Sequence, residues 1–373
     1  MTVALLKHER TLRWELEEVV PSSASKVTLE MPSGAEIRSF LHQVDVRALV
    51  RMRSAREIPI RHRVAAAQLH ATSCKVLLAT DRNIEFLNSL AELCPEVHQI
   101  VVSHGVIVPR LRARLGLTRD FPNRTFCVWS EREVGIVREL APAELRPVSL
   151  GSLRNALYMV SPRRSEASNS NPLNQICLVS SFSGLAYDSQ LGNRKGAGRE
   201  LRQVLLRAVQ GLADAWSLPV VVALKPQTMS GFAEGTMQRW ADERRYFEES
   251  LPSCEVFFSE PQNRFESYQV VDSSLLSVGL FSSPIVEGFG RASLTMSVGL
   301  PHLDASWGSL PPEFHLTNRS LLEVEQKSIS WLQELRGWLV SDSGINTRRH
   351  YLEAAVDGDP IRKVRSMIAR HLG

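Results

Sequence analysis

Three apolar runs in this sequence stop on residues equipped for chemistry. "HQIVVSHG" ends on Ser103, His104 and Gly105; "VVVALKP" ends on Lys225 and Pro226; "LLSVGLFSSPIVE" passes through Ser282 and Ser283 to Glu287. An imidazole at a strand end suits a general base near neutral pH, or a donor to phosphate or carboxylate. The plain alternative is a histidine bonded to a neighbouring loop. Gly105 lets the backbone turn tightly or a ligand approach closely. Lys225, with Pro226 halting the strand, is a good phosphate partner at a sheet edge. Ser283 followed by Pro284 reads as a helix N-cap and first turn, and the free N–H groups with two hydroxyls make an anion site. Glu287 lies on the same helical face as Ser283, placed to reach a ribose or sugar hydroxyl. An ordinary capped helix accounts for Ser283 but not for the paired serine or the acid. Asp81, Ser130-Glu131 and Gly151-Ser152 also follow apolar runs directly.

Other chemistries are disfavoured. No cluster has zinc-ligand spacing, no D-x-D follows a strand, and neither G-x-G-x-x-G nor a Walker A loop occurs. The expectation is a metal-independent site without a bound cofactor. The net charge of +4 is too small to imply nucleic acid but suits an anionic substrate or membrane surface. Two arginine-rich segments, 51–63 with five arginines and 109–119 with four, read first as solvated faces. They could also grip an anionic acceptor or lipid headgroup, which would make the protein peripheral to a membrane. Aromatic residues do not interleave them, which argues against single-stranded nucleic acid. The five cysteines lack C-x-x-C spacing and read as reduced thiols. The N-terminus does not read as a signal peptide, and no run approaches the roughly 18 apolar residues of a membrane span. Together these point to the cytoplasm, with the inner membrane face as a possible docking place.

The elements that position these residues alternate along 373 residues, enough for two domains. Strands are expected at 75–80, 98–103, 125–130 and 146–151, with helices at 82–94 and 131–141. The polar stretch 161–174, "SPRRSEASNSNPLN", reads as a linker or long loop. The alternation then resumes: strands at 175–181, 219–226, 254–260 and 275–281, and helices at 198–216 and around Trp240 to Tyr246. Short apolar runs between amphipathic helices mean parallel strands covered on both faces. Two doubly wound α/β halves create a cleft, with ligands beyond the carboxyl ends of the strands.

The His-Gly strand end, the Lys-Pro strand end and "SYQVVDSSLLSVGLFSSPIVEGFGRASLTMSVG" (267–299) together resemble bacterial surface-polysaccharide transferases of the GT-B fold. These include capsule Kdo transferases, polysialyltransferases and glycerophosphotransferases. The resemblance covers roughly residues 75 to 300. It implies that Tyr268, Asp272, Ser282, Ser283 and Glu287 form the nucleotide-phosphate motif, that Lys225 stands where the family has histidine, and that Gly151, Ser152 and Arg154 match a G-(S/N)-x-R turn, with Arg154 joining Lys225, Ser282, Ser283 and Glu287 in donor binding. It implies an acceptor-side domain at 1–165, a nucleotide-sugar domain at 175–342, and a helical segment at 343–373 crossing back to the first domain. The activity implied is transfer of a sugar from a nucleotide-activated donor, with CMP or CDP mildly preferred, to a glycan or lipid-linked glycan acceptor. His104 and Glu131 are both candidate bases. A glycerophosphotransferase, a nucleotide-sugar epimerase and an inactive nucleotide-binding scaffold are the alternatives.

Overall fold

The computed structural model describes residues 2–6, 13–29, 44–81, 84–105, 121–140, 147–162, 164, 173–180, 195–224, 236–259, 265–280, 282–299, 310–352 and 359–372. Contacts divide the chain into two units, Met1–Leu157 with Asp357–Gly373, and Tyr158–Val356. The division differs from the boundaries expected from sequence. Residues 158–164 belong with the second unit because Tyr158 packs its ring on Tyr268 and Phe265. Residues 343–352 also stay with it, because Arg348 is buried and donates to the carbonyls of Leu339 and Gly290.

The first unit is built on six strands: β1 (Thr2–Leu6), β2 (Ser25–Leu29), β3 (Val76–Thr80), β4 (His98–Val102), β5 (Arg124–Val128) and β6 (Pro147–Ser149). All pair in parallel, in the order β2-β1-β3-β4-β5-β6. Its helices are α1 (Arg13–Val19), α2 (Val46–Arg51), α3 (Ile60–Ala71), α4 (Ile84–Leu93), α5 (Glu131–Leu140) and α6 (Leu153–Met159), the last running across the boundary after Leu157. The inner strands β1, β3, β4 and β5 are buried at nearly every position because both faces are covered, as parallel sheets require, whereas the edge strand β2 is largely exposed. Ala4, Leu77, Val101 and Phe126 pack in one core with residues of α3 and α4. Val3, Leu78, Ile100 and Cys127 pack on the other face with Leu16 of α1 and with Ile361, Val364 and Ile368 of the C-terminal helix. Strands β1 and β2 had not been expected from the sequence.

The second unit is another parallel sheet, of β7 (Leu173–Val179), β8 (Val220–Ala223), β9 (Val256–Phe258), β10 (Ser274–Leu280), β11 (Thr295–Val298) and β12 (His315–Leu316). The order is β12-β11-β10-β7-β8-β9. After β9 the chain returns to the far side of β7, so β7 and β10 flank the point where the winding reverses. Its helices are α7 (Lys195–Trp216), α8 (Thr236–Ser250), α9 (Glu266–Ser273), α10 (Ser283–Gly290), α11 (Asn318–Glu325), α12 (Ile329–Val340) and α13 (Asp342–Tyr351); α14 (Pro360–Leu372) belongs to the first unit. One core joins all of this sheet's central strands with α7 and α10. The segment 282–299 divides into α10, a turn with Ala292 at φ 68°, and β11. The fold class is α/β, with two doubly wound Rossmann-like units.

Candidate active site

In the first unit the winding reverses between β1 and β3, and the polar residues gather at the carboxyl ends of β3 and β4. Thr80 pairs with Val102, so the residues that follow each are neighbours. Asp81 is fully buried. Its Oδ1 accepts from the His104 backbone N–H at 3.1 Å and from the ring at Nδ1. Ser103 Oγ donates to the Gly105 carbonyl at 2.6 Å and lies 3.3 Å from Asp81 Oδ2. A carboxylate holding Nδ1–H fixes the tautomer, so Nε2 carries the lone pair. The His104 side chain is 26% exposed while that of Asp81 is 0%, which leaves the ring accessible and its anchor dry. In the sequence Asp81 stands out only as a strand-end residue, directly after an apolar run; its pairing with His104 comes from strand register.

Glu131 opens α5 and is exposed. The buried acid there is Glu133, whose carboxylate accepts from the Trp129 N–H at 2.7 Å while its own N–H donates to Ser130 Oγ at 3.3 Å. This reciprocal cap ties the end of β5 to α5. Trp129 Nε1 also donates to the Ser103 carbonyl at 3.2 Å, joining this turn to the His104 loop. Gly151 follows β6 with φ 97°, a left-handed conformation that favours glycine. Arg154 on α6 forms an ion pair with the fully buried Glu15 of α1. That contact gives Arg154 a packing role within the first unit.

In the second unit the helix start at the winding reversal is α10. Its N-cap is Ser282, not Ser283 as the sequence suggested, because the Ser282 carbonyl already accepts from Ile285 and Val286 and Pro284 lies within the first turn. Ser282 makes no side-chain capping bond, and its hydroxyl oxygen is buried without a partner among the described residues. Gly279 allows α10 to lie close to the sheet: a Cβ there would meet Ile285 at 2.9 Å and Val179 at 3.1 Å. The remaining motif residues interlock helices. Tyr268 of α9 donates to Glu287 of α10 at 2.6 Å, and Glu287 is only 1% exposed. Asp272 receives Arg291, the C-cap of α10, through Nε at 3.0 and 2.9 Å and Nη2 at 2.8 Å. The Arg291 guanidinium sits 4.7 Å from the Tyr268 ring and 5.0 Å from that of Tyr158. Burial alone would lower its pKa, but Asp272 outweighs this and holds it above the usual arginine value. Neither Arg291 nor Tyr158 was picked out from sequence. Nor was Glu243 of α8, which is 2% exposed and accepts from Ser180 just past β7. Lys225 lies outside the described residues, as does segment 109–119.

Among the described residues one cluster, His70, Cys94 and Glu96, brings ligand atoms together. Glu96 lies 3.1 Å from Nδ1 of His70, whereas the Cys94 thiol lies 3.7 Å from Nε2. The two partners sit at different ring nitrogens, and burial pushes the Cys94 thiol well above its ordinary pKa. All five cysteines are free.

No protein-family profile matches the chain, and no curated sequence matches it. Solved structures do share its fold. A glycosyltransferase from Rickettsia africae superposes with a TM-score of 0.52 at 10% identity, covering 100% of this chain and 98% of its own. Sucrose-phosphate synthase from Thermosynechococcus elongatus gives 0.52 at 11% identity, covering 100% and 99%. The wall teichoic acid polymerase TagF, solved with CDPG, gives 0.50 at 10% identity, covering 99% and 88%. At such identities the likeness is one of fold, and it places the chain among GT-B architectures.

Proposed function

We propose that the protein is a glycosyltransferase that moves a sugar from a nucleotide-activated donor to a glycan acceptor without a metal ion. The observation that carries this reading is the Asp81–His104 pair, a buried carboxylate orienting an accessible imidazole at strand ends. In this reading His104 Nε2 takes the proton of the acceptor hydroxyl as its oxygen attacks the anomeric carbon. The bond from that carbon to the nucleotide breaks, and the leaving phosphates gather negative charge. In the second unit that charge is met by the amino end of α10, the hydroxyls of Ser282 and Ser283, and Lys225. Glu287 supports the donor site by fixing Tyr268 against α10. A CMP- or CDP-linked donor is favoured by the resemblance to the capsule transferases, and the acceptor is a glycan or a lipid-linked glycan.

The peripheral membrane association suggested by segment 51–63 also belongs to this reading. Arg51, Arg53, Arg56 and Arg61 are exposed, and Val46, Val50 and Ile60 beside them are 59%, 64% and 43% exposed. Apolar side chains among arginines suit an anionic lipid surface.

The test is incubation with a panel of nucleotide-sugars, reading both released nucleotide and the sugar. Slow release of free nucleotide without acceptor, accelerated by a glycan acceptor, supports the transferase. Isomerised sugar on intact nucleotide would replace it with an epimerase, transfer of glycerol phosphate from a CDP-linked donor with a glycerophosphotransferase, and binding without turnover with a scaffold.

A further inference from the structure

A second site stands at the opposite edge of the second sheet. Asp272 ends α9, Ser293 precedes β11, and Arg336 of α12 donates through Nη2 to the carbonyls of Ser274 and Leu275, the first residues of β10, at 3.0 and 3.1 Å. These residues, with Arg164, Arg291, Ala292 and Val340, line a cavity of about 260 Å³. Ser282 lies beyond the other end of β10, a strand of seven residues, so the two places are roughly 20 Å apart at the usual rise per residue.

We propose that this cavity binds the phosphate-monoester group of a small ligand. Its lining holds three guanidinium groups and one carboxylate, a formal charge of +2 that matches a dianion. The carboxylate is already neutralised: Asp272 accepts from Arg291 and, at 2.5 Å, from Ser293 Oγ. Arg336 is different. Among the described residues its partners are two neutral carbonyls, both served by one nitrogen, so donors on its planar fork remain for an anion. A half-buried guanidinium held by neutral partners alone among the described residues is costly, and burial lowers its pKa accordingly. Phosphate satisfies such a fork with paired hydrogen bonds. Val340 is 64% exposed, so the cavity opens to solvent. Its volume is under the roughly 300 Å³ at which pockets for drug-sized ligands begin, which fits a phosphorylated head rather than a whole nucleotide.

The experiment is calorimetric titration of the full chain with inorganic phosphate at low salt. Arg336→Ala should weaken binding at least tenfold, Arg336→Lys should recover part of it, and the double variant Ser282→Ala/Ser283→Ala should retain it. Val340→Glu, which adds a carboxylate at the exposed rim without touching the core, should abolish it and stands in if Arg336→Ala fails to fold. Phosphate binding untouched by Arg336→Ala and Val340→Glu, or lost only in the serine variant, overturns the proposal. Glycerol 3-phosphate and vesicles containing phosphatidic acid then separate the sources. Competition by the soluble ester alone assigns a soluble metabolite, and Arg336-dependent retention on the vesicles assigns a lipid. Failure of both to compete with phosphate also overturns the proposal.

Discussion

Asp81 and His104 form a carboxylate–imidazole pair across the ends of two adjacent parallel strands, with the carboxylate buried and the ring reachable. Such a pair holds one tautomer in one orientation and stabilises the imidazolium formed when the ring takes a proton. His104→Ala should therefore lower turnover by roughly 100-fold to 10,000-fold, the usual worth of a general base. Donor affinity should stay near its original value. Asp81→Asn should also slow the chemical step, because an amide can present its N–H to Nδ1 and turn the ring's proton to Nε2. Rate–pH profiles at saturating substrates check this. Near-full turnover in His104→Ala reduces the histidine to a turn residue, and a profile flattened by Glu131→Gln moves the base to Glu131.

The paired serines make a separate expectation. Ser282→Ala/Ser283→Ala should weaken nucleotide binding by at least tenfold, since hydrogen bonds to charged groups are worth about 1.5–3 kcal/mol each. The melting temperature should hardly move, because Ser282 makes no capping bond to lose. Calorimetry with CMP, CDP, UDP and GDP reads the effect and identifies the base. Unchanged affinity places the nucleotide elsewhere.

Transfer should survive chelation. The sequence has no D-x-D after a strand, and the proposed site meets phosphate charge with helix N–H groups and side chains. Activity should persist in EDTA; activity that vanishes and returns with magnesium or manganese refutes the metal-free mechanism.

Much of the architecture was legible because parallel strands write their burial into the sequence. "KVLLAT" and "HQIVVS" have continuous apolar centres, VLLA and IVV, and form β3 and β4. "TVALL", equally apolar, became β1, but at the chain's start it lacked the alternation with helices that identified the others. The short β12 carries too few residues for any periodicity. At the site, strand ends could be read and pairings could not. His104 and Asp81 are 23 residues apart and meet only through strand register. Glu287 looked like a ligand-facing acid by helical spacing, yet spacing cannot reveal that Tyr268 donates to it. The capping position slipped by one residue because a proline is tolerated at either early position of a helix.

A pair of stacked rings predicts acid sensitivity. His98, which opens β4, lies 3.5 Å centroid to centroid from His371 on α14, and its Nε2 bonds Thr125 at 2.9 Å. Burial, then His371, lowers the His98 pKa to about 4, and burial, then Arg370, lowers that of His371. Depressed imidazole values mean that the unfolded chain binds protons more readily than the folded one. Stability should therefore fall as pH drops through 6.5 toward about 4. His371→Gln should flatten part of this slope in thermal melts, leaving the share due to buried His62, which is also lowered to about 4. A slope unchanged by the substitution would show that the stack does not contribute.

The proposed membrane attachment through segment 51–63 has its own readout. Co-sedimentation with phosphatidylglycerol vesicles should exceed that with phosphatidylcholine and fade with salt. Arg51→Glu, Arg53→Glu and Arg56→Glu combined should abolish it, since each arginine near an anionic surface is worth about 1 kcal/mol, or roughly fivefold. Equal binding to both lipids removes the electrostatic attachment.

The first unit's sheet is closed on one face by a helix from the far end of the chain. Val364 and Ile368 of α14 are fully buried with Val76, Leu78 and Ile100, and Arg365 reaches the Glu18 carbonyl at 3.1 Å. During synthesis the ribosome delivers β1 to β6 long before this helix exists. The second unit, continuous in sequence, has all of its described strands and helices available by the time residue 352 emerges. The domain that begins first is thus finished last, and until then a strip of its apolar sheet faces water. A chain truncated before α14 should leave Val76, Leu78 and Ile100 uncovered on that face, the kind of exposed apolar surface that chaperones bind.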